Sequence, residues 1–178
     1  MTSIQYSIDR TAFLPRVDRA LLVTALVAGA FATIGFDLFG QFISPLMKSL
    51  ASPYLGAKLA PVALANQSLA VIFDIKARAI SSLGLGHALH VLTGLLIYPL
   101  GYVLFARPIS NAIARLPWWM TGTAYGVVLF VFALYVMAHL VAGNPAFLGW
   151  SCITWVALWG HIVFGLIVAW FFHRARLD

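Results

Sequence analysis

Residues 148–172 read LGWSCITWVALWGHIVFGLIVAWFF and contain no Asp, Glu, Lys or Arg. A helix rises about 1.5 Å per residue, so about 20 apolar residues cross a hydrocarbon layer about 30 Å thick. This stretch therefore predicts a membrane-spanning helix. It is followed by His173, Arg174 and Arg176, which suit the surface of a membrane.

Three earlier stretches have the same character, at about residues 20–47, 83–105 and 118–142. The first is too long for the apolar core of a signal peptide, so we expect it to stay attached. Arg107–Pro108 is predicted to end the second span, and Pro117–Trp118 to begin the third. Gly143–Asn144–Pro145 is a turn by composition. The third and fourth spans, about 118–142 and 148–172, should therefore form an antiparallel hairpin.

The segment between the first two spans is mixed in composition. Its apolar part runs from Pro61 to Ile75 and is interrupted by Asn66 and Gln67. This part is too short to cross a bilayer as a helix. It predicts an additional interfacial or re-entrant helix at about residues 61–75.

The whole chain has the composition of a membrane protein. Of its 178 residues, 62% are hydrophobic and only 9% are charged, whereas soluble domains carry about 25% charged residues. We therefore predict an all-α integral membrane protein in which residues 1–178 form a single membrane domain, a four-transmembrane-helix bundle. Its main partner is the lipid bilayer. The net charge of +6 does not indicate nucleic-acid binding, because no basic patch or recognition motif is present.

The basic residues indicate the orientation of the chain. Seven lie in the terminal segments and between spans two and three, whereas four lie in the loop between spans one and two, and none in the turn between spans three and four. Loops rich in Lys and Arg stay on the cytoplasmic side. Both termini are therefore predicted to be cytoplasmic. The seven are Arg10, Arg16, Arg19, Arg107, Arg115, Arg174 and Arg176; the four are Lys48, Lys58, Lys76 and Arg78.

Each span carries one ionisable residue that stands out from its apolar neighbours: Asp37, His90, His139 and His161. Each lies in a stripe of small and polar residues at helical spacing, so these stripes should face the bundle axis. By residue count, the first three lie in the outer part of the bilayer and His161 lies nearer its middle. His87 lies one turn from His90, near the outer boundary.

Three interpretations of this cluster follow from its chemistry. In the first, each histidine is neutral, hydrogen-bonded to a neighbouring carbonyl, Tyr or Thr, and fixes the packing of its helix. In the second, the cluster binds a cofactor. Haem b would take His90 and His139 with His161 in support, whereas a divalent transition metal would take residues from Asp37, His87, His90 and His139. In the third, Asp37 and the histidines relay protons or line a path for a solute.

The motifs of soluble enzymes are absent from the sequence. It contains no glycine-rich phosphate loop, no nucleophile elbow and no haem-attachment CxxCH. No catalytic residue can therefore be assigned, and the sequence favours a protein that is not an enzyme. Gly122-xxx-Gly126 has the spacing of a close helix contact, within the bundle or between protomers.

The second half of the chain has a recognisable series of short motifs. His90-Val-Leu-Thr-Gly is followed by Tyr98-Pro-Leu-Gly-Tyr, Ala138-His139 and Trp159-Gly160-His161. This series resembles the YagU-like family of small bacterial inner-membrane proteins over about residues 83–173. The loop between the first two spans does not match the family. The resemblance implies a bacterial inner-membrane bundle without an established activity, and the matching positions are His90, His139 and His161.

These observations favour an accessory or stabilising subunit of a membrane assembly, with another membrane protein or a second copy as its partner. Two alternatives remain. One is a membrane protein that binds haem b or a metal through its intramembrane histidines. The other is a proton-linked transporter or channel subunit, which at 178 residues would need to oligomerise to enclose a pathway.

Overall fold

The computed structural model describes residues 15, 17–51 and 54–177. Within these ranges the chain is helical and has no strand, and four helices are long and apolar enough to cross a membrane. The prediction of an all-α, four-span membrane protein is confirmed. The basic residues Arg10 and Arg16 lie outside the described residues. The four helices are span 1 (Arg19–Leu46), span 2 (Leu85–Ile113), span 3 (Trp118–Val141) and span 4 (Cys152–Arg174).

The predicted additional helix is also confirmed, as Pro61–Phe73, which we call the short helix. Proline suits its first turn because the N–H that proline lacks would have no partner there. The helix ends where Asp74 takes a left-handed conformation with φ of 53°. Smaller helices cover Lys48–Ala51 and Ala77–Ser82. A turn, Ala146–Trp150, precedes span 4, and its residues 147–150 have left-handed backbone with positive φ.

Prolines lie inside spans 1 and 2 without ending them. Each of Pro45, Pro99 and Pro108 follows closely after a five-residue π-helical segment. In each case the residue just before the proline donates its N–H to the carbonyl five residues back. Proline lacks an N–H, and its ring collides with the carbonyl four residues back. The wider π turn relieves this conflict and keeps the helix continuous. The segments are Phe39–Ile43, Thr93–Ile97 and Tyr102–Ala106.

The helix of span 2 consequently continues past Arg107–Pro108, the end predicted for the span, and runs to Ile113. The π turn before Pro108 is one reason. The other is that Arg107 has partners: its Nη1 donates to the Leu116 carbonyl at 2.7 Å and lies 3.4 Å from the Thr121 hydroxyl. The guanidinium thereby fastens the connection between spans 2 and 3 instead of marking the end of the helix.

The spans are arranged in the order 2, 1, 4, 3 around the bundle. Span 4 packs along spans 1 and 3, and span 1 packs on the π-helical turn of span 2. The predicted antiparallel hairpin of spans 3 and 4 is confirmed. Spans 2 and 3 meet through Tyr102 and Tyr125 at the end near their connection. At the opposite end the short helix packs on both spans and closes the ring.

Glycines bring span 4 into close contact with span 3. A Cβ on Gly165 would collide with backbone atoms of Gly122 and Gly126, and a Cβ on Gly126 would collide with the backbone at His161. The Gly122-xxx-Gly126 motif therefore makes its close contact within the bundle. Because the two backbones approach so closely, this contact fixes the rotation of span 4 and the position of His161.

We predict that Gly165→Ala destabilises the protein by about 1–3 kcal/mol, because a methyl group there meets backbone that cannot move aside. Gly35→Ala is the matched control, since its methyl group would meet only the flexible end of the Ile167 side chain. Unfolding of detergent-solubilised protein by heat or by denaturing detergent measures the difference. Equal stability of the two variants would contradict the packing described here.

Candidate ligand cavity

A cavity of about 300 Å³ lies between the four spans and the short helix. Its walls are mainly aliphatic and aromatic side chains. Two π-helical segments contribute to it. Thr93 and Gly94 belong to the segment in span 2, while Ala133 and Met137 belong to Phe132–Val141 in span 3. The segment in span 2 is accounted for by Pro99, whereas span 3 contains no proline. The π turn is a rare conformation that occurs often at functional sites, so the segment in span 3 is the one that draws attention to the cavity.

The short helix covers the cavity and is attached by its polar residues. Ser68 Oγ donates to the Met137 carbonyl at 3.4 Å, and Asn144 Nδ2 donates to Gln67 Oε1 at 3.2 Å. Asn66 packs against Gly86 of span 2, where a Cβ would collide with its amide oxygen. The polar residues that interrupt this apolar segment in the sequence therefore fasten the short helix to spans 2 and 3.

The chain leading into the short helix is also held in place. The Leu59 N–H donates to the Gly40 carbonyl at 2.9 Å, and Leu59 fills the space beside that glycine. Ser44 Oγ donates to the Ala57 carbonyl at 3.1 Å and accepts from the Gly56 N–H at 3.0 Å. Span 1 thereby positions this side of the cavity through one backbone hydrogen bond and two made by the Ser44 hydroxyl.

Asp37 and His90 form a hydrogen-bonded pair at the edge of the cavity. His90 Nε2 lies 3.2 Å from Asp37 Oδ2, and Gln41 Nε2 donates to Asp37 Oδ1 at 3.0 Å. The two side chains are 19% and 31% exposed, for His90 and Asp37 respectively. His90 lines the cavity, whereas Asp37 contacts His90 but does not itself line the cavity. A carboxylate in this position orients the ring and favours a proton on Nε2, leaving Nδ1 for another partner.

His161 is the second imidazole on the cavity wall. Its ring is buried, and its Nδ1 lies 2.7 Å from the Ala157 carbonyl one turn back on span 4. It packs edge-on against the Phe36 ring with centroids 4.9 Å apart, and the His90 ring lies 6.4 Å from the same Phe36 ring. His90 of span 2 and His161 of span 4 thus lie next to the same phenylalanine ring and line the same cavity.

His139 and His87 lie elsewhere. His139 Nδ1 is 2.7 Å from the Asn144 carbonyl, so this histidine holds the turn between spans 3 and 4. It is not among the residues that line the cavity, and His87 is exposed on the surface of span 2. The structure therefore does not bring His139 to the wall that His90 lines, and the pairing it offers instead is His90 with His161.

The predicted metal ligands are only partly brought together. Asp37 contacts His90, but across residues 15, 17–51 and 54–177 no three His, Cys, Asp or Glu side chains form a group that could hold a metal ion. The four residues proposed from the sequence do not form one ligand set there. A metal needs three or more protein ligands at matched distances, which two adjacent side chains do not supply.

Several residues that line the cavity were not predicted from the sequence. Tyr98 and Phe164 line it as an edge-to-face pair with centroids 5.8 Å apart, and Asn144 borders it from the turn. Aromatic residues are frequent throughout this chain, so these carried no distinguishing signal. Gln67 did carry one, because an amide inside an apolar helix favours a partner from outside that helix.

No family model matches this chain, and neither a characterised protein nor a solved structure matches it. The resemblance to the YagU-like family accordingly stays a prediction.

We predict that Asp37 and His90 stabilise the protein jointly. A double-mutant cycle with Asp37→Ala, His90→Ala and the combined variant should give a coupling free energy of about 1 kcal/mol, because either single change leaves the other side chain without its partner. Unfolding in denaturing detergent measures the four free energies. The matched control replaces His87, on the same helix and exposed, and should give purely additive effects with Asp37→Ala. Additivity for His90 as well would contradict the pairing.

Proposed function

We propose that this multi-pass membrane protein binds a small, mostly apolar molecule in the cavity beneath the short helix. The observation that carries the proposal is the cavity of about 300 Å³ with two imidazoles, those of His90 and His161, in a mainly apolar wall. Ligand sites in proteins are typically concave, mainly apolar and equipped with a few well-placed polar groups.

The cavity is suited to a ligand that comes from the bilayer. Its mainly apolar walls are formed by the membrane-spanning helices together with the short helix, so a lipid-soluble molecule loses little on leaving the hydrocarbon. Affinity then depends on shape and on the polar contacts, because lipid is as apolar as the walls. His90 and His161 supply two of those polar contacts, and Asp37 orients the His90 ring.

The proposal includes the cellular setting. We place the protein in a bacterial inner membrane with both termini cytoplasmic, supported by the excess of basic residues in the terminal segments and the connection between spans 2 and 3. Binding without catalysis agrees with the lack of catalytic motifs in the sequence. A role as an accessory subunit, and assembly with another membrane protein or a second copy, remain predictions that are compatible with ligand binding.

We expect a small molecule to co-purify with the protein in native lipid nanodiscs, enriched over protein-free nanodiscs by mass spectrometry of the extract. Ala133→Phe should remove this enrichment because it fills the cavity from span 3. Ala124→Phe on the exposed surface of the same span is the matched control and should retain it. The absorbance spectrum of the same sample tests haem b, since a Soret band that disappears in His90→Ala and His161→Ala would identify the ligand as haem. An extract with no enriched compound, or one unaffected by Ala133→Phe, would contradict the proposal.

A second candidate function is proton-linked transport, and the contact between Asp37 and His90 favours it. Both residues can exchange protons, and His90 lines the cavity. The short helix covers this cavity on one side, and the glycine contacts between spans 3 and 4 hold those two helices close together. A covered site next to a protonatable pair is the arrangement that a carrier uses when ligand release depends on protonation.

If the protein couples transport to protons, liposomes containing it should dissipate an imposed pH gradient when the co-purified molecule is present. Asp37→Asn should abolish this flux because the amide cannot bind and release a proton. Asp74→Asn, at the end of the short helix, is the matched control and should leave the flux unchanged. Absence of flux in the wild-type protein with its ligand present would leave binding as the function and contradict transport.

A further inference from the structure

We propose that the cavity selects an uncharged aromatic molecule with a hydroxyl group, a phenol-type ligand whose O–H donates to Nε2 of His161. This inference rests on the proposed function, because it names the class of molecule that the same cavity binds. Three properties of the cavity support it: the free nitrogen of His161, the lack of charged side chains on the described wall and the aromatic pairs that surround the space.

The hydrogen bond within span 4 determines what His161 offers to a ligand. The carbonyl oxygen of Ala157 can only accept, so Nδ1 of His161, 2.7 Å away, must carry the proton. A neutral imidazole then has a lone pair on Nε2. Among the described residues this nitrogen has no hydrogen-bond partner, and it is not sealed off within the packing. The cavity therefore presents an acceptor, and a complementary ligand must bring a donor.

The charge of the wall determines the charge of the ligand. No Asp, Glu, Lys or Arg is found among the described residues that line the cavity. The carboxylate of Asp37 lies behind His90 and is already engaged by that ring and by Gln41. An ionised ligand would lose its hydration in an apolar space and find no opposite charge there, which is costly. A ligand that is neutral when bound avoids this cost.

The aromatic residues determine the shape of the ligand. Phe36 and His161 form one edge-to-face pair on the wall, and Tyr98 and Phe164 form another. Planar rings pack well against such pairs through edge and face contacts. An apolar cavity of about 150 Å³ holds benzene. The cavity here is about 300 Å³, so it can hold two fused rings.

The test compares 1-naphthol with 1-methoxynaphthalene, which has the same rings but no O–H to donate. Binding is measured by calorimetry in nanodiscs, and partition into protein-free nanodiscs is subtracted. We expect saturable binding of 1-naphthol that is about tenfold tighter than that of the methyl ether, because the ether leaves the acceptor unsatisfied. His161→Phe should remove this preference, whereas His139→Phe, outside the cavity, should retain it.

The outcomes separate this inference from the proposed function. Equal affinity for the two compounds in the wild-type protein overturns the inference without any variant, so it stays testable even if His161→Phe does not fold. Binding of both compounds that Ala133→Phe abolishes would keep the cavity as a ligand site while rejecting the requirement for a donor. A preference that survives in His161→Phe would also overturn the inference. No saturable binding of either compound overturns it as well, and the co-purification experiment then decides the proposed function independently.

Discussion

The structure depends on one constraint: a hydrogen-bonding group left without a partner is costly within the bilayer, because lipid provides none. Helices satisfy the backbone. Where prolines interrupt the hydrogen-bond pattern in spans 1 and 2, a π turn supplies a hydrogen bond to the carbonyl five residues back, and the helix continues. Polar side chains follow the same rule, since Arg107, His139 and His161 all lie against backbone carbonyls. Most of the polar residues in this bundle are thus accounted for by local structure.

The cavity stands out against this background. Close glycine contacts join span 4 to span 3, and span 1 packs on span 2 through Gly29 and Gly94. Next to these contacts a space remains around His90 and His161, covered by the short helix. Interiors are normally close-packed, and leaving such a space lowers stability. A cavity with accessible imidazole nitrogen on its wall is therefore better explained by a ligand than by packing.

The histidines that looked equivalent in the sequence have different roles in the structure. His139 fits the interpretation of a structural histidine, since it bonds a carbonyl in the turn at the end of its span. His161 also bonds a carbonyl, but this bond leaves its second nitrogen available to the cavity. His90 is the one that contacts the acid, Asp37. The structural interpretation thus fits His139, whereas the proposed ligand binding concerns His90 and His161.

The sequence by itself determined the four spans, the short helix and the hairpin of spans 3 and 4, because apolar length and turn composition are properties of continuous segments. It did not show that the helix of span 2 continues past Arg107–Pro108, since the partner of Arg107 lies in the following connection. Only the tertiary structure decided which polar residues meet. Asp37 and His90 are 53 residues apart, and Gln67 and Asn144 are 77 apart. Such contacts depend on the order and rotation of the helices, which glycine packing fixes and which hydrophobicity along one segment cannot specify.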